Sequence, residues 1–189
     1  PTDYYPFYIQ IYVERDVRLM RNIGDLSKFI RFLKLCTGRI GQLLNISSLA
    51  NECGVSVTTA TSWISILEAS YICYLLKPDH NNYAKRLVKA PKLYFYDTGL
   101  ACSLLDIRNA DQIATHFLRG SLFENFVINE FIKEAYNKGK EPNLSFWRDS
   151  TGNEVDLLRT EEGKQYAYEI KSGATYSSDF FKGISKWAK

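Results

Sequence analysis

The sequence predicts an α+β chain in two modules, and two observations carry that reading. Between residues 26 and 89, three helical patterns are followed by two strand-like runs. Between residues 119 and 189, one helix precedes three strand-like runs and a final helix. With 189 residues, 46 % hydrophobic and 24 % charged, the chain can bury a core without disulfides or metal staples. No apolar run reaches the roughly 18 residues of a membrane span, and no signal-peptide pattern opens the chain.

Residues 1–25 form a tyrosine-rich opening that ends in the alternating charges Glu14-Arg-Asp-Val-Arg18, a pattern of exposed helix. Starting on Pro1 rather than Met, this segment reads as trailing from a missing module. In residues 26–105 the first helix has apolar positions 26, 29, 30 and 33 behind an Asp25 cap. A second runs from Ser47/Ser48 to Cys53 and stops at Gly54. Ser56 caps a third, with Ala60, Ile64 and Leu67 as its buried stripe. The run Tyr71–Leu76, the turn residues Pro78–Asn82 and a basic strand near Arg86–Lys89 complete a hairpin. Three helices and a hairpin make a winged helix-turn-helix, with Leu49–Ser56 as the corner. Residues 91–96 are expected to be extended, and Asp97-Thr-Gly-Leu100 to turn into a short helix. The polar stretch 106–118 is expected to be a linker and hinge. The second module, 119–189, is expected to hold a helix over Ser121–Asn137, strands over Leu144–Arg148, Glu154–Arg159 and Gln165–Lys171, and a helix over Phe180–Trp187.

The formal charge of +3 is uneven: residues 1–25 carry −1, residues 26–118 carry +4 and residues 119–189 carry 0. In the basic middle, Lys85, Arg86, Lys89 and Lys92 are candidate phosphate contacts of the wing. The third helix offers the hydroxyls of Thr58, Thr59 and Ser62 to nucleic acid. It has no arginine or lysine, the commonest readers of guanine, so a winged helix that docks protein stays open beside one that binds DNA. The four cysteines form no CxxC pair and neither histidine adjoins one. They read as reduced, structural thiols in a cytoplasm rather than zinc ligands.

The chemistry-bearing residues lie in the second module. Glu161-Glu-Gly-Lys164 is the turn between two strands, and a hairpin with Glu161 opposite Lys164 makes paired residue numbers add to 325. Asp156 then lies across from Glu169, with Lys171 on the same face. Opposed carboxylates at about 5 Å repel, and a divalent cation between them would remove that repulsion. Lys171 could then orient or help deprotonate a water attacking a phosphodiester. On a helical wheel Glu124 falls among Ile128, Phe131 and Ala135, so a carboxylate faces the packed side and needs a partner. Arg119 and Arg148 are the bland ones. An exposed ladder with Glu154 opposite Lys171 is the competing account of the strand charges.

The ordered set Glu124, Asp156, Glu169-Ile-Lys171 resembles the PD-(D/E)xK nuclease pattern. More widely, Glu14-Arg-Asp-Val17, Gly41-Gln-Leu-Leu-Asn45, Leu67-Glu-Ala-Ser-Tyr-Ile72, Lys85-Arg-Leu-Val-Lys89, Asp97-Thr-Gly-Leu100, Arg119-Gly-Ser-Leu-Phe-Glu124, Phe146-Trp-Arg-Asp149 and Glu169-Ile-Lys-Ser-Gly173 resemble the C-terminal region (domain of unknown function 4143) of prokaryotic AAA+-type ATPases. That resemblance implies a winged helix followed by a small restriction-endonuclease-like domain, here C-terminally incomplete. It implies Mg²⁺ or Mn²⁺ on Asp156, Glu169 and Glu124, with Lys171 catalytic. It assigns ATP to a missing N-terminal module, since no G-x-x-x-x-G-K-[ST] occurs here. The implied partners are nucleic acid, DNA before RNA, the chain's own ATPase module and a second copy of the chain, with no membrane. The alternative is a non-catalytic interaction platform that regulates the ATPase.

Overall fold

Three helices that share one apolar core set the frame of the first half. The computed structural model describes residues 4–12, 15, 23, 25–79, 89–173, 175 and 177–189. After a short aromatic helix α1 (Tyr4–Ile11) come α2 (Leu26–Thr37), α3 (Ile46–Cys53) and α4 (Val57–Ala69). Each of these three is capped as its sequence dictates: the side chains of Asp25, Asn45 and Ser56 accept from backbone N–H groups in the first turn. Gly54 closes α3 in the left-handed region at φ 69°. Phe29, Phe32, Leu33, Leu49, Ala60, Ile64 and Leu67 are buried together, with Trp63 edge-on to both phenylalanines.

Strand β1 (Cys73–Leu76) follows, and its antiparallel partner is β2 (Lys92–Phe95), in the register Cys73↔Phe95 to Leu76↔Lys92. The second strand is therefore the run expected to be merely extended. The basic strand expected near Arg86–Lys89 falls, except for exposed Lys89, outside the described residues, as do Lys85, Arg86 and most of the 14–18 charge run. All four residues of β2 are buried, because the hairpin is covered on both faces. Cys73, Leu93 and Phe95 join the helical core, while Leu76 and Tyr94 join a second core.

That second core belongs to the other half of the chain. Helix α5 (Thr98–Leu104), capped by Asp97, and α6 (Ala110–Thr115) lead into the long α7 (Arg119–Asn137). A meander follows in the order β3 (Leu144–Arg148), β4 (Glu154–Glu161), β5 (Lys164–Tyr168). Ile128, Ile132, Phe146, Leu157 and Ile170 bury Leu76 and Tyr94 between them. A 3₁₀ turn (Ser178–Phe181) and α8 (Lys182–Trp187) close the chain, with Ile184 and Trp187 resting on Trp147, Val155 and Leu158. The whole is a mixed α+β arrangement with small antiparallel sheets.

The stretch expected as a linker is not a free hinge. It carries α6, and Ile107 and Leu118 are buried in the first core. The halves are also stitched through backbone, since Asp79 N–H donates to Phe146 O at 2.7 Å and Phe146 N–H to Lys77 O at 3.1 Å. Polarity at 106–118 is surface polarity of a short helix, which periodicity over six residues is too brief to reveal.

Candidate active site

The β4–β5 hairpin turns at Glu162 and Gly163, both with positive φ. Its observed pairs, from Glu161↔Lys164 to Leu157↔Tyr168, all add to 325. The ladder ends one pair short of Asp156 and Glu169, because the chain leaves β5 there and Ile170 N–H turns in to donate to Asp156 Oδ2 at 2.8 Å. The register nevertheless delivers the two acids to one place. Lys171 Nζ lies 2.8 Å from Asp156 Oδ2 and 2.9 Å from Glu169 Oε2. Both acids are nearly buried while the Lys171 side chain is 40 % exposed, so the lysine is the solvent-facing member. Burial pushes the Glu169 carboxyl up to about 7, with Asp156 adding to the shift and Lys171 opposing it. Burial disfavours the Lys171 ammonium, but its hydrogen bonds to the two acids outweigh that and raise its pKa. A cation held this firmly keeps its proton.

Helix α8 closes one side of this cluster. A Cβ on Gly183 would fall 1.8 Å from Glu154 O and 2.6 Å from Glu169 Oε1, so only glycine permits the helix to lie there. Arg119, at the start of α7, donates to Ser172 O at 2.7 Å, beside Lys171 in the segment that follows β5.

Glu124 has a different set of partners from those expected. Its Oε1 takes Lys92 Nζ at 3.1 Å and the Tyr94 hydroxyl, while Lys92 also reaches Glu154 Oε1 at 2.5 Å. Arg148 holds the other oxygen of Glu154 at 2.9 Å. Neither Arg119 nor Arg148 touches Glu124, and Glu154 does not face Lys171. Burial raises the Glu124 carboxyl above its ordinary range, against the pull of Lys92. For Lys92, burial opposes the charge, but Glu124 and Glu154 together outweigh it and lift the pKa. Lys92 is 2 % exposed. It is therefore not a phosphate contact of a wing, and the grouping with Lys85, Arg86 and Lys89 is corrected for this residue. The signal was present in the sequence: a lysine opens a run, Lys92-Leu-Tyr-Phe-Tyr96, with no other charge, and a charge in a strand buried on both faces needs a partner.

The buried line of α7 runs through Leu122, Asn125, Ile128, Asn129 and Ile132, about one position away from the wheel centred on Glu124. Its two asparagines serve the β2 backbone. Asn125 accepts from Phe95 N–H at 2.8 Å and donates to Phe95 O at 3.0 Å, and Asn129 donates to Phe95 O and Tyr96 O.

Among the described residues no three His, Cys, Asp or Glu side chains come together as a metal-holding group. The structure thus unites Asp156, Glu169 and Lys171 and leaves Glu124 beside them on Lys92. Two hard carboxylates suit an ion such as Mg²⁺, which commonly takes one or two carboxylates and completes its shell with water and phosphate. Among the described residues, Glu124, Glu154, Asp156 and Glu169 pair with three cations, Lys92, Arg148 and Lys171, which leaves the acids one in excess.

On α4 the hydroxyls are largely spent at home. Thr61 donates to Val57 O, Ser65 to Thr61 O, and Thr59 meets the Ser56 cap; Thr58 is exposed and Ser62 half-buried. A cleft of about 660 Å³ lined by Tyr5, Gly99, Cys102, Ile107, Arg108 and Ile113 lies elsewhere, and none of the nominated residues reaches it. All four thiols are free. Among the described residues no helix is long and apolar enough to cross a membrane.

Residues 2–111 match the family described as domain of unknown function DUF8612, and residues 119–189 match domain of unknown function DUF4143. Over 170 residues the chain is 29 % identical to an uncharacterized protein of Mycobacterium bovis and equally to one of Mycobacterium tuberculosis. These alignments cover 90 % of the chain and 38 % of each relative. The chain thus spans well under half the length of the curated relatives it matches. No solved structure matches it.

Proposed function

The chain belongs to the DUF8612 family, and from that premise and the geometry above we propose a two-part nucleic-acid-handling unit. Its DUF4143 segment is read as a divalent-metal-dependent phosphodiester-hydrolysing site of the PD-(D/E)xK kind. One observation supports the reading: Lys171 lies within 2.9 Å of both Asp156 and Glu169, just beyond the last pair of the β4–β5 ladder. Asp156 and Glu169 would hold Mg²⁺ or Mn²⁺. When bound, such an ion polarises a phosphoryl oxygen and lowers the pKa of a bound water. The ammonium of Lys171, facing solvent, is placed to meet the charge that develops on the phosphate and to orient the attacking water. Ile170 N–H and Arg119 keep the acids and the lysine in register.

Helices α2 to α4 with the β1–β2 pair have the order of a winged helix, read here as the part that brings the site to DNA. Exposed Lys89, with Lys85 and Arg86 beyond the described residues, supplies the affinity. The internal bonding of the α4 hydroxyls leaves exposed Thr58 for contact, with half-buried Ser62 beside it, and argues for binding without base discrimination. The missing length of the relatives leaves room for an ATPase module as partner and for self-association, and the free thiols fit a reducing cytoplasm.

A non-catalytic platform that regulates the ATPase is the second reading. It is favoured by the fact that every acid of the cluster already has a lysine or arginine partner.

The test is a melting curve with and without millimolar Mg²⁺ or Mn²⁺, run beside cleavage of duplex DNA. Wild type should gain Tm with metal by linkage. Asp156→Asn should lose most of that gain and all cleavage, and Lys171→Ala should keep the gain and lose cleavage. A wild-type curve indifferent to both metals, with no cleavage, hands the site to the platform reading.

A further inference from the structure

We propose that Lys92 is a resident cation of the acid cluster, a positioning residue that holds Glu124 out of the metal shell and so limits that shell to two carboxylates. The inference rests on the metal-site reading above and goes beyond it in assigning a role to a residue of the other half of the chain.

Glu124 is pinned from one side. Its Oε1 accepts from Lys92 Nζ at 3.1 Å and from the Tyr94 hydroxyl, both on β2, so moving it toward Asp156 breaks two charge-assisted bonds at once. Its other oxygen accepts none of the hydrogen bonds found among the described residues. It points toward Gly41, where a Cβ would lie 3.7 Å away. Lys92 sits between Glu124 and Glu154, which face each other across it as two carboxylates face each other across a bound ion. A buried lysine is costly to desolvate, and the rest of β2 is apolar or aromatic, so packing alone gives no reason for an ammonium here.

Charge explains the choice. Four carboxylates meet three cations in this cluster. With all four acids ionised, as a bound cation would favour, the one surplus negative charge suits an exchangeable divalent ion, held loosely enough for substrate and product to move. Without Lys92 the surplus doubles. Glu124 would turn in as a third ligand and the ion would be held more tightly.

The experiment is Mn²⁺ binding by calorimetry and by electron paramagnetic resonance of the ion, on the full chain and three variants. Lys92→Met with Glu154→Gln frees Glu124 without changing the net charge. It should bind Mn²⁺ about ten-fold more tightly than wild type, and adding Glu124→Gln should abolish that gain. Lys92→Arg, which keeps the cation, should stay within about two-fold of wild type. A folded double variant with wild-type affinity overturns the proposal, as does a gain that survives Glu124→Gln. Should the double variant fold only with Mn²⁺, rescue that vanishes with Glu124→Gln supports it, and no rescue overturns it. If wild type binds Mn²⁺ and the double variant binds it no better, Lys92 alone has been misread. If no form binds Mn²⁺, the metal-site reading falls as well.

Discussion

Lys92 and Lys171 make a controlled comparison within one molecule, because each bridges two carboxylates at hydrogen-bond distance and they differ mainly in water. The Lys92 side chain is 2 % exposed and the Lys171 side chain 40 %. The buried bridge joins β2, α7 and β4, three elements from both halves of the chain. The exposed bridge joins neighbouring positions of a single hairpin. The same ionic chemistry therefore holds the fold together in one place and stays available to a ligand in the other, and what decides between them is how much solvation each charge has surrendered.

The sharpest way to break this comparison is to delete each ammonium. Lys92→Met leaves the buried Glu124 without a cation, Glu154 keeping Arg148, and should cost about 3–5 kcal/mol in urea unfolding. A loss near that for Lys171 would mean the two sites are equivalent after all. Next in size is Gly183→Ala. The added methyl collides with the Glu154 carbonyl, so α8 should lift at a cost of roughly 1–3 kcal/mol, with Trp187 fluorescence moving toward that of an exposed indole. Lifting α8 should also return the Glu169 pKa toward its ordinary range.

Glu169 itself gives a pH signature. Its folded pKa of about 7 stands above the roughly 4.3 of an unfolded glutamate. Its contribution to stability is thus fully present below the unfolded value and is lost as pH rises through about 7. Wild type should lose stability relative to Glu169→Gln across that window, and parallel stability curves would overturn the burial account. Smallest is Lys171→Met, expected at about 1 kcal/mol, since at neutral pH the proton on Glu169 offsets part of the missing cation.

Much of the fold was legible because short-range rules governed it. The caps at Asp25 and Ser56, the stop at Gly54 and the Glu162-Gly163 turn are local, and the turn alone dictated the register that brings Asp156 to Glu169. The partner of Glu124 was not legible, because it lies 32 residues away on a strand whose own pairing was assigned to a different segment. Once β2 was misplaced, Lys92 was grouped with surface lysines and the wheel of α7 lacked its true neighbour. Asn125 and Asn129 were missed for a related reason: amides at core positions look like surface until the strand they serve is known. In the stretch read as a linker, a polar six-residue helix hid two buried anchors at its flanks, Ile107 and Leu118.

The asparagine ladder from α7 to β2 has a consequence for how this chain comes into being. During synthesis the first segment leaves the ribosome with its hairpin bearing Lys92, but the acids and amides that receive that hairpin lie at 124, 125, 129 and 154. Until those residues emerge, the hairpin's second face has nothing to pack on and its lysine has no counter-charge, so it must wait half-made. The two family matches end and begin on either side of residues 112–118, yet the packing crosses that gap. Each finishes the other, and birth order makes the earlier segment the dependent one.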